Sequence, residues 1–431
     1  MGKLLRMNHS QNPTSETEIA IRAQASEAKC ASVALRTLSS GAKNAALLAM
    51  ADALLSRRDE IFAANARDVE NAAQKGLSGA LLDRLKLSPK KLESMADGCR
   101  QVAALPDPVN RVLWGETRPN GLKIEQIRVP LGVVAVIFES RPNVTVDAAI
   151  LALKAGNSVI LRGGSEAIQT NGTLAQIIRE AAAQNGVPAN AIQFIASADR
   201  EASKILATLD DSIDLIVPRG GEGLKKALTS VATVPVIFAA GGVCHVYVDE
   251  FAEIDMAQNI VFNAKTSNPS VCNALETLLI HEKIAPQFLP VIAQKLEAHG
   301  STLRGDERAQ SLVPSLEAAS EDDWGAEYLD LTLAVKIVGD LDEAVAHISR
   351  YGTAHSEAIV TQNYARAEAF LAQVDASAVY VNASTRFSDG YEFGLGAEVG
   401  ISTQKLHSRG PMGLEALTST KYVVRGNGQV R

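Results

Sequence analysis

Apolar side chains recur at helical spacing over residues 19–38, 45–64 and 81–104, so the first hundred residues predict helices, interrupted where Gly76 and Gly79 fall. Residues 106–121 are turn-rich, punctuated by Gly115, Pro119 and Gly121. Residues 122–128 alternate in strand fashion and stop at Pro130, which predicts a short two-faced strand in a projecting hairpin. From 133 the pattern changes. Residues 133–138 are an unbroken apolar run, and similar short strands follow at 157–161, 192–195, 213–217 and 234–238. Helical segments at 146–155, 168–184, 200–207 and 223–230 alternate with them. Strands apolar on both faces and separated by helices predict a parallel, doubly wound sheet. A second series begins after Gly241-Gly242, with strands at 246–248, 274–280, 334–338, 358–360 and 378–381 and helices at 256–263 and 285–298. Residues 421–424 predict one last strand. The expectation is an α/β chain with two doubly wound domains and a small β element.

A length of 431 residues fits two or three domains at about 150 residues each. The net charge of −7 gives no basic field for nucleic acid, so an anionic substrate needs a local cationic pocket. Four cysteines, at 30, 99, 244 and 272, show no paired spacing for zinc or a disulfide framework, which fits a reducing, cytoplasmic location. The longest apolar runs are too short to span a bilayer. The polar first fourteen residues read as a frayed tail rather than a signal peptide.

Three segments carry candidate chemistry. In the loop 265–273, Lys265-Thr266-Ser267-Asn268-Pro269-Ser270-Val271-Cys272-Asn273, a cysteine lies among small polar residues between a helix and a strand. A reactive thiolate needs partial exposure and positive potential, for which Lys265 and backbone N–H groups are candidates. A small core cysteine is the alternative. Cys30, Cys99 and Cys244 read as structural. In the second segment a strand runs into Arg162-Gly163-Gly164-Ser165-Glu166; its N–H groups can approach a phosphate, and Arg162 can lie along a ribose or pair with a phosphate. The third segment ends a strand in Arg219-Gly220-Gly221 without the usual dinucleotide spacing. Together they point to one cofactor across the carboxyl ends of a parallel sheet.

In this order the segments resemble the aldehyde dehydrogenase superfamily over nearly the whole chain. Tyr351-Gly352-Thr353-Ala354 and Phe393-Gly394-Leu395-Gly396 extend the likeness. The runs Phe138-Glu139-Ser140-Arg141-Pro142-Asn143-Val144-Thr145-Val146-Asp147, Pro218-Arg219-Gly220-Gly221 and Gly410-Pro411-Met412-Gly413-Leu414 are similar to the branch that reduces the acyl phosphate of glutamate. The resemblance implies an aldehyde dehydrogenase-like fold: a cofactor domain of residues 1–121 and 141–241, a catalytic domain of 242–405, and an oligomerisation element of 122–140 and 406–431.

It further implies NADPH-dependent reduction of L-glutamyl 5-phosphate through a thioester on Cys272. Hydrolytic relatives place a water-activating Glu where this chain has Ala239-Ala240-Gly241-Gly242, so water should attack the acyl-enzyme slowly. Asn143 is a candidate oxyanion donor, or a helix cap. Arg162, Gly163, Gly164, Ser165, Arg219, Gly220 and Gly221 are expected at the cofactor. Ser165 stands where NAD-using relatives carry a ribose-binding Glu, which favours NADP(H), although Glu166 is adjacent. Glu327 is expected at the nicotinamide ribose, or as a surface acid. Arg141, Lys265 and Arg386 are expected to meet substrate anions, and Glu357 or Asp389 its amine; Arg386 also reads as a surface arginine. The resemblance implies no metal, a homo-oligomer and functional pairing with a glutamate 5-kinase. A CoA-acylating dehydrogenase and a non-catalytic protein of the same fold are the competing readings.

Overall fold

The computed structural model describes residues 15–431 except Ser78, Ser140 and Ala240. The expected tail, 1–14, lies outside the described residues. The chain divides into two units: residues to Val236 with Leu417–Arg431, and Ile237–Ala416.

In the first unit, Ser15 accepts from the amide of Glu18 and starts the helix Glu16–Leu35. Ile21, Ala25, Ala28 and Leu35 recur at three- and four-residue spacing and are buried. The first three of these pack against a parallel sheet whose spatial order is Ile192–Phe194, Ser158–Arg162, Val133–Phe138, Leu215–Arg219. Val133–Phe138 is buried throughout, which explains its unbroken apolar run. The domain boundaries expected from sequence grouped it with the projecting element 122–140. It is instead an inner strand of this sheet, and residues 406–416 lie in the second unit.

Three other expectations also change. The helix expected over 45–64 is two helices, Ser40–Ser56 and Arg58–Gln74, interrupted at Arg57. The strand expected at 234–238 is only a bridge of Val236 to Ile216, because Pro235 has no N–H to donate to a ladder. The turn-rich stretch contains the strand Val112–Thr117, exposed along its whole length and therefore without the alternation that marks a half-buried strand. It pairs antiparallel with Lys123–Pro130, which pairs antiparallel with Thr418–Arg425.

Buried charge fixes the helix Asn143–Lys154 from behind. The Lys154 ammonium donates to Asn44 Oδ1 (2.6 Å) and the Ala103 carbonyl (2.9 Å). The Lys43 ammonium, almost wholly buried, donates to the Lys154 carbonyl and pairs with Asp107 at 2.6 Å.

The second unit is a seven-stranded sheet in which every neighbouring pair is parallel. Its order is Glu317–Ala318, Thr302–Gly305, Thr332–Val338, Leu275–His281, Cys244–Val248, Ser356–Val360, Ala378–Val381. One face packs Val246, Leu278 and Val335 against Val261, Phe288 and Ile292 of the helices Ile254–Thr266 and Ala285–Ala298. The other packs Tyr247, Leu279 and Ile359 against Ile348 and Phe370 of Leu341–Tyr351 and Tyr364–Gln373. Helices on both faces make it doubly wound.

Burial raises the Asp107 carboxyl, but hydrogen bonds from Lys43 and Ser40 outweigh it and hold the group below the ordinary carboxylate range. A depressed folded pKa contributes stability above the unfolded value, about 3.9, that is lost as pH falls through the folded value. Asp107→Ala leaves Lys43 buried without its acid and is expected to cost about 3–5 kcal/mol at pH 7. Denaturant unfolding from pH 7 to 3 should show a lower and flatter stability curve in the variant.

Candidate active site

In the second unit, the helix Ile254–Thr266 ends in a loop leading to the strand Leu275–His281, so Cys272 lies at the amino end of a central strand. Asn268 Oδ1 accepts from the amide and hydroxyl of Ser270 and folds the loop back. Asn273 anchors the other side. Its amide nitrogen donates to the carbonyls of Arg386 (3.2 Å) and Ser388 (2.9 Å), and its own carbonyl accepts from Thr385 Oγ1 at 2.7 Å. The Arg386 guanidinium donates to Ser267 Oγ (3.0 Å) and to Asn273 Oδ1, spanning the loop. Cys272 is half-buried within these anchors.

A second loop touches the first through backbone. A Cβ on Gly242 would lie 1.5 Å from the Cys272 carbonyl oxygen, so only glycine permits the approach. The Gly242 amide donates to Glu327 Oε1 at 2.7 Å, and a Cβ on Gly241 would come within 2.6 Å of Glu327 Oε2. Cys244 donates its thiol proton to the Cys272 carbonyl at 3.2 Å. Burial pushes the Cys244 thiol well above its ordinary value, which keeps it neutral and a donor. Of the stretch aligned with the hydrolytic Glu, Ala240 lies outside the described residues.

Lys265 does not join this site. It is fully buried and paired with the equally buried Glu276 at 2.7 Å. Desolvation lowers the Lys265 pKa and raises the Glu276 carboxyl to about 7, while their attraction opposes both shifts. Its ammonium is enclosed and paired with Glu276, so it does not face an anionic substrate directly. Burial lowers the Arg386 pKa, while Asp389 and Cys272 oppose the shift. Glu357 is likewise internal, its Oε2 accepting from the His245 amide and meeting His245 Nδ1, each at 2.9 Å. It cannot face a substrate amine. Burial lowers His355 to about 4, so this imidazole is neutral at pH 7. Glu327, exposed, spends one oxygen on Gly242 and keeps lone pairs for a further donor.

In the first unit the sheet register sets Arg162 beside Ile137 and Arg219 beside Phe138, at the carboxyl end of Val133–Phe138 on opposite sides. From this strand the chain passes to one neighbour and later returns to the other, a topological switch point where α/β sheets bind ligands. Arg162 is mostly buried. One guanidinium nitrogen donates to the Asp199 carbonyl at 3.0 Å, while Nε is buried without a partner. Arg200, Glu166 and Asp199 lie within electrostatic reach of it. A Cβ on Gly163 would sit 2.1 Å from Asn171 Nδ2, so the strand must end in glycine there. Ser165 is exposed where the next helical turn starts. The Gly221 amide donates to Glu139 Oε2 at 3.3 Å, and Gly220 faces the same carboxylate. Arg141 is exposed. Asn143 does not cap its helix. Its amide donates one hydrogen to Asp147 Oδ2 at 2.9 Å and has a second to give.

Sequence reasoning overlooked Asn273, Arg200 and Asp147. Asn273 adjoins the cysteine and Asp147 closes the run that begins at Phe138, so both were within reach; Arg200 carries no motif signal.

These features define a class. The chain belongs to the aldehyde dehydrogenase family, whose sequence pattern matches residues 8–319. It is 57% identical to the gamma-glutamyl phosphate reductase of Moorella thermoacetica over 95% of this chain and 98% of that one. It is 54% identical to the protein of the same name from Halothermothrix orenii, over 95% and 98%. A crystal structure of gamma-glutamyl phosphate reductase from Thermotoga maritima matches with a TM-score of 0.93 at 46% identity, covering 95% of this chain and 99% of that one. An acetylating aldehyde dehydrogenase from Geobacillus thermoglucosidasius, 20% identical over 98% and 99%, shares the fold with a TM-score of 0.71.

Gly242→Ala must displace the cysteine loop. The expected result is a loss of about 100-fold in kcat, the size of effect a 1 Å misplacement produces. Far-ultraviolet circular dichroism should remain that of the parent, and steady-state kinetics on the purified variant checks the loss.

Proposed function

We propose that this chain reduces L-glutamyl 5-phosphate to L-glutamate 5-semialdehyde and phosphate with NADPH, the second step of proline biosynthesis from glutamate. The observation that carries the proposal is the half-buried Cys272, held by Asn273 and Arg386 on one side and by the side-chain-free Gly242 on the other. The Cys272 thiolate attacks the acyl carbon, the bond to the phosphate oxygen breaks, and phosphate leaves with its electron pair, giving a thioester. Arg386 stabilises charge near the sulfur, and Arg141 is a further cation for the anionic substrate. Asn143 offers its second amide hydrogen to the developing oxyanion. When bound, the reduced nicotinamide supplies the hydride. The tetrahedral adduct then expels the cysteine sulfur, which recovers a proton as the aldehyde leaves. Ala239 stands where hydrolytic relatives place the Glu that activates water, so the thioester persists until reduction.

The cofactor fits the first unit on physical grounds. Gly163 allows close approach at a strand end, the Arg162 Nε lacks a partner, and Ser165, whose hydroxyl donates to Glu166 Oε2 at 3.4 Å, adds no charge of its own against a 2′-phosphate. Arg162, Gly163, Gly164, Ser165, Arg219, Gly220 and Gly221 would hold it, with Glu327 at the nicotinamide ribose. An acyl phosphate of glutamate hydrolyses readily, so functional pairing with a glutamate 5-kinase belongs to the same reading. The exposed strand Val112–Thr117, with Val112, Leu113 and Trp114 on its surface, is the pairing edge of a homo-oligomer.

The reverse reaction tests the activity. With NADP⁺, glutamate 5-semialdehyde and phosphate, absorbance at the reduced-nicotinamide band should rise. Omitting phosphate should stop it and CoA should not replace phosphate; activity with CoA instead would establish the acylating alternative. Cys272→Ala should abolish turnover and leave cofactor binding by fluorescence intact. Ser165→Glu should lower the kcat/KM ratio for NADP over NAD by at least about tenfold, equivalent to one lost charge-assisted hydrogen bond.

A further inference from the structure

In the second unit the strands Cys244–Val248 and Ser356–Val360 are neighbours, and both begin in polar residues. Cys244, His355, Ser356 and Ser388 are at most 1% exposed, yet their polar atoms form a continuous chain. His355 Nδ1 meets Ser356 Oγ at 2.9 Å and Cys244 Sγ at 3.8 Å. Ser356 Oγ shares a hydrogen with Ser388 Oγ, which meets the hydroxyl of the half-buried Tyr380 at 2.7 Å. The His355 carbonyl accepts from Ser377 Oγ at 2.6 Å, which fixes the backbone that carries the imidazole. The two ends of the chain fall on consecutive residues. At one end the Cys244 thiol donates to the Cys272 carbonyl; at the other the Ser388 carbonyl accepts from the Asn273 side-chain amide at 2.9 Å. A peptide held by its carbonyl on one side and by the next side chain on the other has little freedom to turn, and its plane sets where the Cys272 sulfur points.

The hydrogens can be assigned along this chain. Among the described residues His355 Nε2 is buried without a partner, so a proton there would be an orphaned donor, whereas on Nδ1 it is used. Donation then runs from the neutral imidazole towards Cys244 and from Cys244 to the Cys272 carbonyl, and on the other branch through Ser356 and Ser388 to Tyr380. Each bond polarises the next. Apolar side chains of the same shape would fill this space at about equal stability, so what the polar chain adds is a single fixed arrangement. We infer that Cys244, His355, Ser356 and Ser388 are positioning residues for the nucleophile, a buried hydrogen-bonded chain that holds the Cys272–Asn273 peptide so that the sulfur stays within the field of the Arg386 guanidinium. That field reaches both sulfurs, and Arg386 is itself tied to Asn273. The inference rests on the reading of Cys272 as nucleophile and names what aims it.

The test follows the nucleophile by two routes. One is kcat for glutamate 5-semialdehyde with NADP⁺ and phosphate. The other is the rate at which iodoacetamide alkylates Cys272, measured by mass spectrometry of its peptide, with the exposed Cys30 as reference. Cys244→Ala and Ser388→Ala should each lower kcat by about 10- to 100-fold, the effect of a small displacement at a reacting group. They should also slow Cys272 alkylation at pH 7 by about tenfold, because a sulfur moved away from Arg386 is a weaker acid. Cys30 should react as in the parent, and the buried Cys244, where it is kept, should remain protected. Cys244→Ser retains a donor to the Cys272 carbonyl, and His355→Asn puts an amide nitrogen where Nδ1 stood; both should keep most of the two rates. His355→Leu, which fills more of the space without a donor, should fall with the alanine variants. An alanine variant that unfolds is judged by this second pair. If the alanine variants leave both rates unchanged, or His355→Asn loses as much as His355→Leu, the chain is packing only and the proposal is overturned. A parent protein that does not turn over glutamate 5-semialdehyde with phosphate overturns the underlying activity instead, and the alkylation rates then decide the chain alone.

Discussion

The nucleophile's loop depends on a backbone contact with no side chain between the two segments. Gly242 lies so close to the Cys272 carbonyl that no Cβ can be accommodated, and Glu327 and the Cys244 thiol hold the two partners of that contact. Neither segment is part of a helix or strand, and both precede neighbouring strands of one parallel sheet. Loops at strand ends gain precision only when something rigid fixes them. Here the rigid parts are the buried strands Cys244–Val248 and Leu275–His281 below and the Asn273–Arg386 clamp at the side. Ala239, three residues before Gly242, stands where hydrolytic relatives carry the base that directs water.

Buried charge supports the sites without entering them. Lys43, Lys154 and Lys265 are each almost completely enclosed, and each ends on a carboxylate or on carbonyl and amide oxygens that link separate segments. Enclosing an ammonium is costly unless it is satisfied, so these lysines specify which segments meet more than they add stability. Lys43 and Lys154 settle the base of the helix that begins at Asn143. Lys265 and Glu276 sit beneath the cysteine loop, and the Glu276 carboxylate also accepts from the Leu329 amide near Glu327.

Much of the architecture was legible because both sheets are parallel and enclosed. Their strands are short apolar runs, and their order along the chain with intervening helices implies winding. The glycine loops and the Cys272 loop were legible because each places unusual residues at a strand boundary. Val112–Thr117 was not, since an exposed edge strand has no buried face to impose alternation. The break at Arg57 was hidden because two successive helices preserve apolar spacing across one residue. Lys265 illustrates the deeper difficulty. A lysine three residues from Asn268 in a polar loop reads as a surface cation, and only the partner eleven residues on, Glu276, on the inner face of a strand, reveals it as a core ion pair.

The antiparallel sheet of the first unit has a consequence for the order of assembly. Arg128 and Thr418, hydrogen-bonded across its strands, are 290 residues apart, and the whole second unit is encoded between them. During synthesis, Lys123–Pro130 can engage its hairpin neighbour at once, but its other row of amides and carbonyls waits until residues 418–425 have left the ribosome. Closing so long an intervening segment is cheaper once that segment has already condensed, because a folded insert shortens the effective distance between its ends. The domain begun earliest is therefore the one finished last, and premature release of the nascent chain would leave it with an open strand able to recruit a neighbour.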